Sequence, residues 1–225
     1  MRINLSPDRV LSADFFDGFV FRFIQNVCLQ EGEEESGLGN YYGVRLKNHI
    51  GGLQDYEGAV FYYLNQAVPA ARCIVHVGIG IGTTTALLAA TGRNVVGVEW
   101  DQQRFRLATQ LRQATMTVWP DVQKRYQLVA GGYPSVNDDL SKNQGPDCVL
   151  LFTNFAGPRP DEFRDSIIAT FIHFGHVVLD LRTFCGTLEE EAQRCDLRDR
   201  ILAAGMKEIG PIRTSPGNYY HHFAR

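Results

Sequence analysis

Paired cysteines are missing from this sequence: the five cysteines, at positions 28, 73, 148, 185 and 195, are odd in number and include no C-x-x-C spacing. That pattern argues against a disulfide framework or a zinc knuckle and reads as reduced thiols in a cytoplasmic protein. Long hydrophobic runs are scarce as well. The strongest early one, Phe19 to Ile24, is short, contains Arg22 and precedes no cleavage pattern, so neither a membrane span nor export is expected. Nor is there an excess of positive charge. Lys and Arg number 22 against 25 Asp and Glu, a net charge of −3, and the cations are scattered, which disfavours autonomous nucleic-acid binding. His173-x-x-His176 and His221-His222 lack a carboxylate or cysteine at ligand spacing, so no metal is expected.

What is present fits one α/β domain. A chain of 225 residues with 44% hydrophobic and 21% charged content can bury a sizeable core but hardly two. Residues 1–55 mix an aromatic-rich segment, the acidic stretch Glu31 to Glu35 and a glycine loop from Gly37 to Gly43, and read as a helical or irregular attachment. Within it Phe16, Phe19, Val20, Phe23 and Val27 share one helix face, expected to pack on a core.

Residues 56–225 alternate regularly. Helices are expected over Tyr56 to Val68, from Thr83, over Gln102 to Val118, near Ser135 to Leu140, and over Asp161 to Phe174. A further helix opens on the T-x-x-E capping pair Thr187 and Glu190 and closes at Gly205. Strands are expected at Cys73 to Val77, Asn94 to Glu99, Tyr126 to Ala130, Asp147 to Thr153, His176 to Leu181, Met206 to Ile212 and Asn218 to Ala224. Alternation closed by a hairpin implies a mostly parallel seven-stranded sheet with an antiparallel C-terminal strand.

The first strand runs directly into Gly78-Ile79-Gly80-Ile81-Gly82, and Thr83 to Thr85 then start a helix. Glycines let a backbone approach a ligand closely. A dinucleotide fingerprint would be spaced G-x-G-x-x-G, and here the third glycine comes one residue early. A structural turn is the plainer reading of the same residues. Glu99 ends the second strand, where a carboxylate can accept both hydroxyls of a ribose or simply face solvent. Thr83 at the helix start and Trp100 beside Glu99 are counted with the ligand residues.

The alternate glycine spacing resembles the first motif of class I methyltransferases, Rossmann-like enzymes whose loop cradles S-adenosylmethionine. That resemblance implies S-adenosylmethionine as cofactor and a methyltransferase as the function. Two positions before the first glycine such enzymes usually carry an acidic residue. Here it is His76, either a satisfied core residue or an indirect contact to the cofactor's ammonium.

A second resemblance is narrower. Phe152-Thr153-Asn154-Phe155-Ala156-Gly157-Pro158 resembles the Asn-Phe-Ala signature of the disruptor-of-telomeric-silencing family, histone lysine methyltransferases that lack a SET domain. The likeness runs through Asp161, Phe163, Gly175 to Val178 and Arg182-Thr183-Phe184 to Tyr219-Tyr220-His221-His222. It implies that Asn154 with Tyr219 or Tyr220 lines a target-lysine channel and that Tyr133 meets the adenine, with Gly132 where an aspartate is usual. Tyr56-Glu57-Gly58 is similar to that family's Tyr-Gly-Glu cofactor element with its last two residues exchanged, which adds Tyr56.

The acceptor implied is a protein lysine or a smaller amine. Because net charge is negative and no basic extension follows Arg225, intact nucleosomes are not expected as an unaided substrate. A small-molecule methyltransferase and a catalytically silent binding or scaffold relative are the alternatives, the latter suggested by His76, Gly132 and the altered Tyr56-Glu57-Gly58. Tyr219 and Tyr220 could equally be ordinary strand residues and Asn154 a turn residue. Nothing in the sequence speaks to oligomeric state.

Overall fold

The computed structural model describes residues 22–23, 25–26, 55–153, 155, 160–181, 187–213 and 219–225. Among them, helices α1 (Asp55–Ala67), α2 (Thr83–Ala90), α3 (Gln102–Val118), α4 (Asp161–Ile168) and α5 (Leu188–Ala203) alternate with strands. The strands are β1 (Cys73–Val77), β2 (Val95–Glu99), β3 (Tyr126–Ala130), β4 (Gly145–Phe152), β5 (Phe174–Asp180), β6 (Lys207–Arg213) and β7 (Tyr219–Ala224). They form one sheet in the order β3-β2-β1-β4-β5-β7-β6. The pairs from β3 to β5 are parallel, and β7 runs antiparallel to both β5 and β6. The single reversed strand expected from the terminal hairpin is thus present, lying between β5 and β6.

Alternating side chains of the buried strands feed two cores. Ile74, Val95, Val149, Leu151 and Val178 face α1, α2 and α3, whereas Val75, Val77, Val96, Leu150 and Val177 face α4 and α5. Helix α2, of sequence TTTALLAA, is buried along its whole length, which is why it is built from small and apolar residues. Phe23 packs against the first core. The other members of its expected helix face lie outside the described residues.

Local chemistry sets the helix ends. The Asp101 side chain accepts the N–H of Arg104 at 2.8 Å and opens α3. Thr187 and Glu190 form the expected reciprocal capping box on α5. The buried Arg93 guanidinium closes α1, donating to the carbonyls of Leu64, Val68 and Pro69 at 2.8 Å each.

Two expected helices are corrected. The segment from Ser135 to Leu140 is a run of turns leading into a 3₁₀ turn at Ser141–Asn143. Its bonds are short-range ones, from Asn137 N to Pro134 O, Leu140 N to Asn137 O and Ser141 N to Asp138 O. Val136 and Leu140 are buried as a helix would have buried them, so the apolar spacing was met by another backbone path favoured by Pro134 and the Asn/Asp cluster. The helix expected to reach Phe174 stops at Ile168. There the Thr170 hydroxyl donates to Ile167 O at 2.6 Å, and a 3₁₀ turn, Phe171–His173, leads into β5. Among the described residues no helix is long and apolar enough to cross a membrane.

Candidate functional site

In an open parallel sheet the crevice for a ligand lies outside the carboxyl ends of the strands, where the connections diverge to opposite faces. Here β1 holds that position, with β2 and β4 on either side. The chain leaves β1 through Gly78, Gly80 and Gly82, all in left-handed conformation with φ of 74, 60 and 84°.

The loop is fixed from both sides. Gly78 N donates to Val98 O of β2 at 3.0 Å, and Thr153, just past β4, donates its N–H to Val77 O at 3.1 Å. The Thr153 hydroxyl also reaches Val77 O at 3.0 Å. Ile79 points down onto Gly97 of β2, where a Cβ would come within 2.9 Å of its Cδ1. Beneath the loop's far end, a Cβ on Gly82 would lie 2.6 Å from the Tyr126 hydroxyl. Gly82 therefore answers to packing from below, while Gly78 is exposed and Gly80 half-buried. Thr153 and Gly97 escaped the sequence reading, although a glycine inside a strand does signal a close approach.

Glu99 joins the loop to β2. Its Oε2 accepts the N–H of Gly80 at 2.8 Å, and its Oε1 accepts those of Trp100 and Asp101 at 3.1 Å. At 2% exposure it is not the solvated strand-end residue of the plainer reading. Burial holds its pKa above the ordinary glutamate range, against the opposing pull of the Asp101 and Gly80 amides. Each carboxylate oxygen has two acceptor sites, so a hydroxyl donor can join the bonds already made. The adjoining Trp100 is 71% exposed, a large flat apolar face beside a buried anion.

The remaining sequence candidates fall in several places. His76 is buried in β1 facing α2, its Nδ1 2.9 Å from Thr85 Oγ1. Burial pushes its pKa down to about 3, and its Nε2 has no hydrogen-bond partner. It is thus a neutral core residue beneath the loop. Thr83 is buried at the start of α2, and Gly82 before it contributes no side-chain cap, leaving the helix N-terminus to be satisfied by other groups.

Tyr133 is buried as well, edge-on to Phe152, with its hydroxyl 2.6 Å from Thr170 Oγ1. Tyr220 lies in the first core at 1% exposure and is the cross-strand neighbour of Asp180. Asp180 is itself a buried carboxylate at the carboxyl end of β5, which the sequence reading missed because nothing in the local pattern sets it apart. Tyr56 stands in the first turn of α1 and Tyr219 opens β7. Asn154 lies outside the described residues.

No family model matches the sequence, and no curated protein sequence matches it. Solved structures do match. An O-methyltransferase from Bacillus cereus in complex with SAH superposes with a TM-score of 0.58 at 13% identity, covering 92% of this chain and 91% of that one. The glycopeptide N-methyltransferase MtfA gives 0.57 at 11% identity over 76% and 90%. Aeropyrum pernix fibrillarin with natively bound S-adenosyl-L-methionine gives 0.53 at 14% identity over 76% of each chain. The fold is that of the class I methyltransferases. Within this methyltransferase fold Gly78 to Gly82 and Glu99 sit at neighbouring carboxyl ends of β1 and β2, and β7 begins at the same edge of the sheet as β5 ends.

Proposed function

We propose that the protein is an S-adenosylmethionine-dependent methyltransferase acting on an amine. The observation that carries this reading is the bond from Gly80 N to the buried Glu99 carboxylate. It holds a left-handed glycine loop and a strand-end anion together at the edge where such a cofactor would lie, with an exposed tryptophan beside them.

The residues fit the cofactor in three respects. Glu99 retains one acceptor site, on Oε2, for a ribose hydroxyl, Trp100 offers a face to a flat heterocycle, and the loop can approach the amino-acid part closely. Bound there, S-adenosylmethionine would supply a sulfonium-activated methyl group. The chain's own task is to hold the acceptor nitrogen neutral and in line, and to do so at the edge formed by the ends of β4, β5 and the start of β7. We assign that task to Asn154 with Tyr219 or Tyr220. The Asn-Phe-Ala and Tyr-Tyr resemblance supports the assignment, as does the position of Tyr220 opposite Asp180 at this edge. A protein lysine or a smaller amine is the acceptor class.

Calorimetric titration with S-adenosylhomocysteine tests the cofactor, and saturable heat is expected. Incubation with radiolabelled S-adenosylmethionine, in the presence of a protein extract or small primary amines, tests the transfer. Absence of heat would leave a scaffold protein of this fold. Heat with label only on oxygen nucleophiles would overturn the amine assignment.

A further inference from the structure

Three cationic residues, Arg72 and the adjacent pair Lys124 and Arg125, meet at the opposite end of the sheet. A cavity of about 270 Å³ crosses the amino ends of β1, β2 and β3, and its lining includes Arg72, Lys124 and Arg125 with the neutral polar Asn94, Gln127 and Asn143. With five residues each in β1 and β2, this cavity lies about 15 Å from the glycine loop, at roughly 3.3 Å per residue. It shares no residue with the site described above.

The walls are fixed by backbone bonds. Arg72 N donates to Asp147 O and Val95 N to Arg125 O, both at 2.7 Å. The Arg72 guanidinium is held in one orientation: Nε meets Asp147 Oδ2 at 3.1 Å, Nη1 meets Lys142 O at 3.1 Å, and Nη2 meets Gln144 O at 3.0 Å and Cys148 Sγ at 3.1 Å. A guanidinium has five N–H donors, so one on Nη1 is left over after these bonds. Asn94 is pinned by donating from Nδ2 to Arg72 O at 3.0 Å. Among the described residues the carboxylate paired with this set is that of Asp147, whose ion pair is with Arg72. Three cations against one paired anion leave a positive recess lined with amides.

We propose that this recess binds a small phosphorylated anion. Two guanidinium groups and an ammonium suit the tetrahedral, multiply charged oxygens of a phosphate better than a single carboxylate. The volume, about 270 Å³, is enough for a phosphate group with a small body. This inference is independent of the methyltransferase reading.

Pyrophosphate and orthophosphate are titrated calorimetrically into the full chain at constant ionic strength, with citrate as a polycarboxylate comparison. Saturable binding of a phosphate is expected, weakened about tenfold or more by Lys124→Gln with Arg125→Gln. Lys207→Gln, an exposed site on β6, should leave it unchanged, as should the double variant the affinity for S-adenosylhomocysteine. Lys124→Gln alone, at an exposed side chain, carries the test if the double variant misfolds. The proposal is overturned by no saturation up to about 10 mM, by equal binding in the variants, by equal loss in Lys207→Gln, or by citrate binding as tightly.

Discussion

Glu99 and Gly80, nineteen positions apart, meet through a carboxylate oxygen and a backbone N–H at 2.8 Å. The same side chain is thus a loop support and the group assigned to the ribose. Glu99→Ala is expected to weaken binding of S-adenosylhomocysteine by about 2 kcal/mol, through loss of charge-assisted bonds, and calorimetry on the folded variant measures it. The raised pKa adds a pH dependence. Hydroxyl donors are best received by the ionised form, so affinity should fall on acidification, beginning at a higher pH than an ordinary glutamate would set. The folding contribution has the opposite sign: the folded state binds this proton more tightly than the unfolded chain, so Glu99 favours folding as pH drops through its folded pKa. Affinity that stays flat down to the ordinary glutamate range would argue against the role.

Gly82→Ala should destabilise the fold by about 1–3 kcal/mol, since it places a Cβ in a left-handed conformation and against the Tyr126 hydroxyl. The colliding atom is a single oxygen. Tyr126→Phe should therefore recover part of the loss in a double-mutant cycle read by thermal melts. Strict additivity would mean that the strain resides wholly in the backbone angle.

His76 gives a sign that can be worked out directly. Its folded pKa is about 3 against an ordinary 6.5, so between those values the unfolded chain carries the extra proton. Its contribution is complete above pH 6.5 and lost as pH falls from 6.5 toward 3. His222, held to about 4 by burial and by neighbouring His176, adds a parallel slope. In His76→Gln the loss of stability between about pH 7.5 and about pH 5 should be smaller by about 2 kcal/mol, as urea midpoints would report. An unchanged slope would place the titration elsewhere.

For the acceptor side, Asn154→Ala and Tyr220→Phe should each lower methyl transfer by about a hundredfold while affinity for S-adenosylhomocysteine holds, because these groups are assigned to the nitrogen and not to the donor. Parallel loss of both quantities in either variant would refute the division of roles.

Local signals made much of this readable beforehand. The limits of β1, β3 and α3 follow from apolar runs and from a helix stopped by Pro120, since those boundaries are set by residues adjacent in the chain. The strand-end position of Glu99 was readable too, but its bond to Gly80 depends on how β1 lies against β2. The burial of Tyr133 and Tyr220 was hidden for a related reason: a tyrosine's sequence neighbours do not say which face of the sheet it joins. Arg72 and Arg125 looked unrelated because only the sheet order brings the amino ends of β1 and β3 to either side of β2.

The placement of β7 between β5 and β6 has a consequence during synthesis. Strand β6 leaves the ribosome before β7, yet among the described residues it has no partner in the sheet until β7 arrives, because its ladder there is with β7. Until then β5 carries an open edge able to recruit a foreign strand. A chain halted before Tyr219 would thus hold a five-stranded parallel sheet with a sticky border and a dangling β6, so nascent chains of this length should depend on chaperone capture more than released ones.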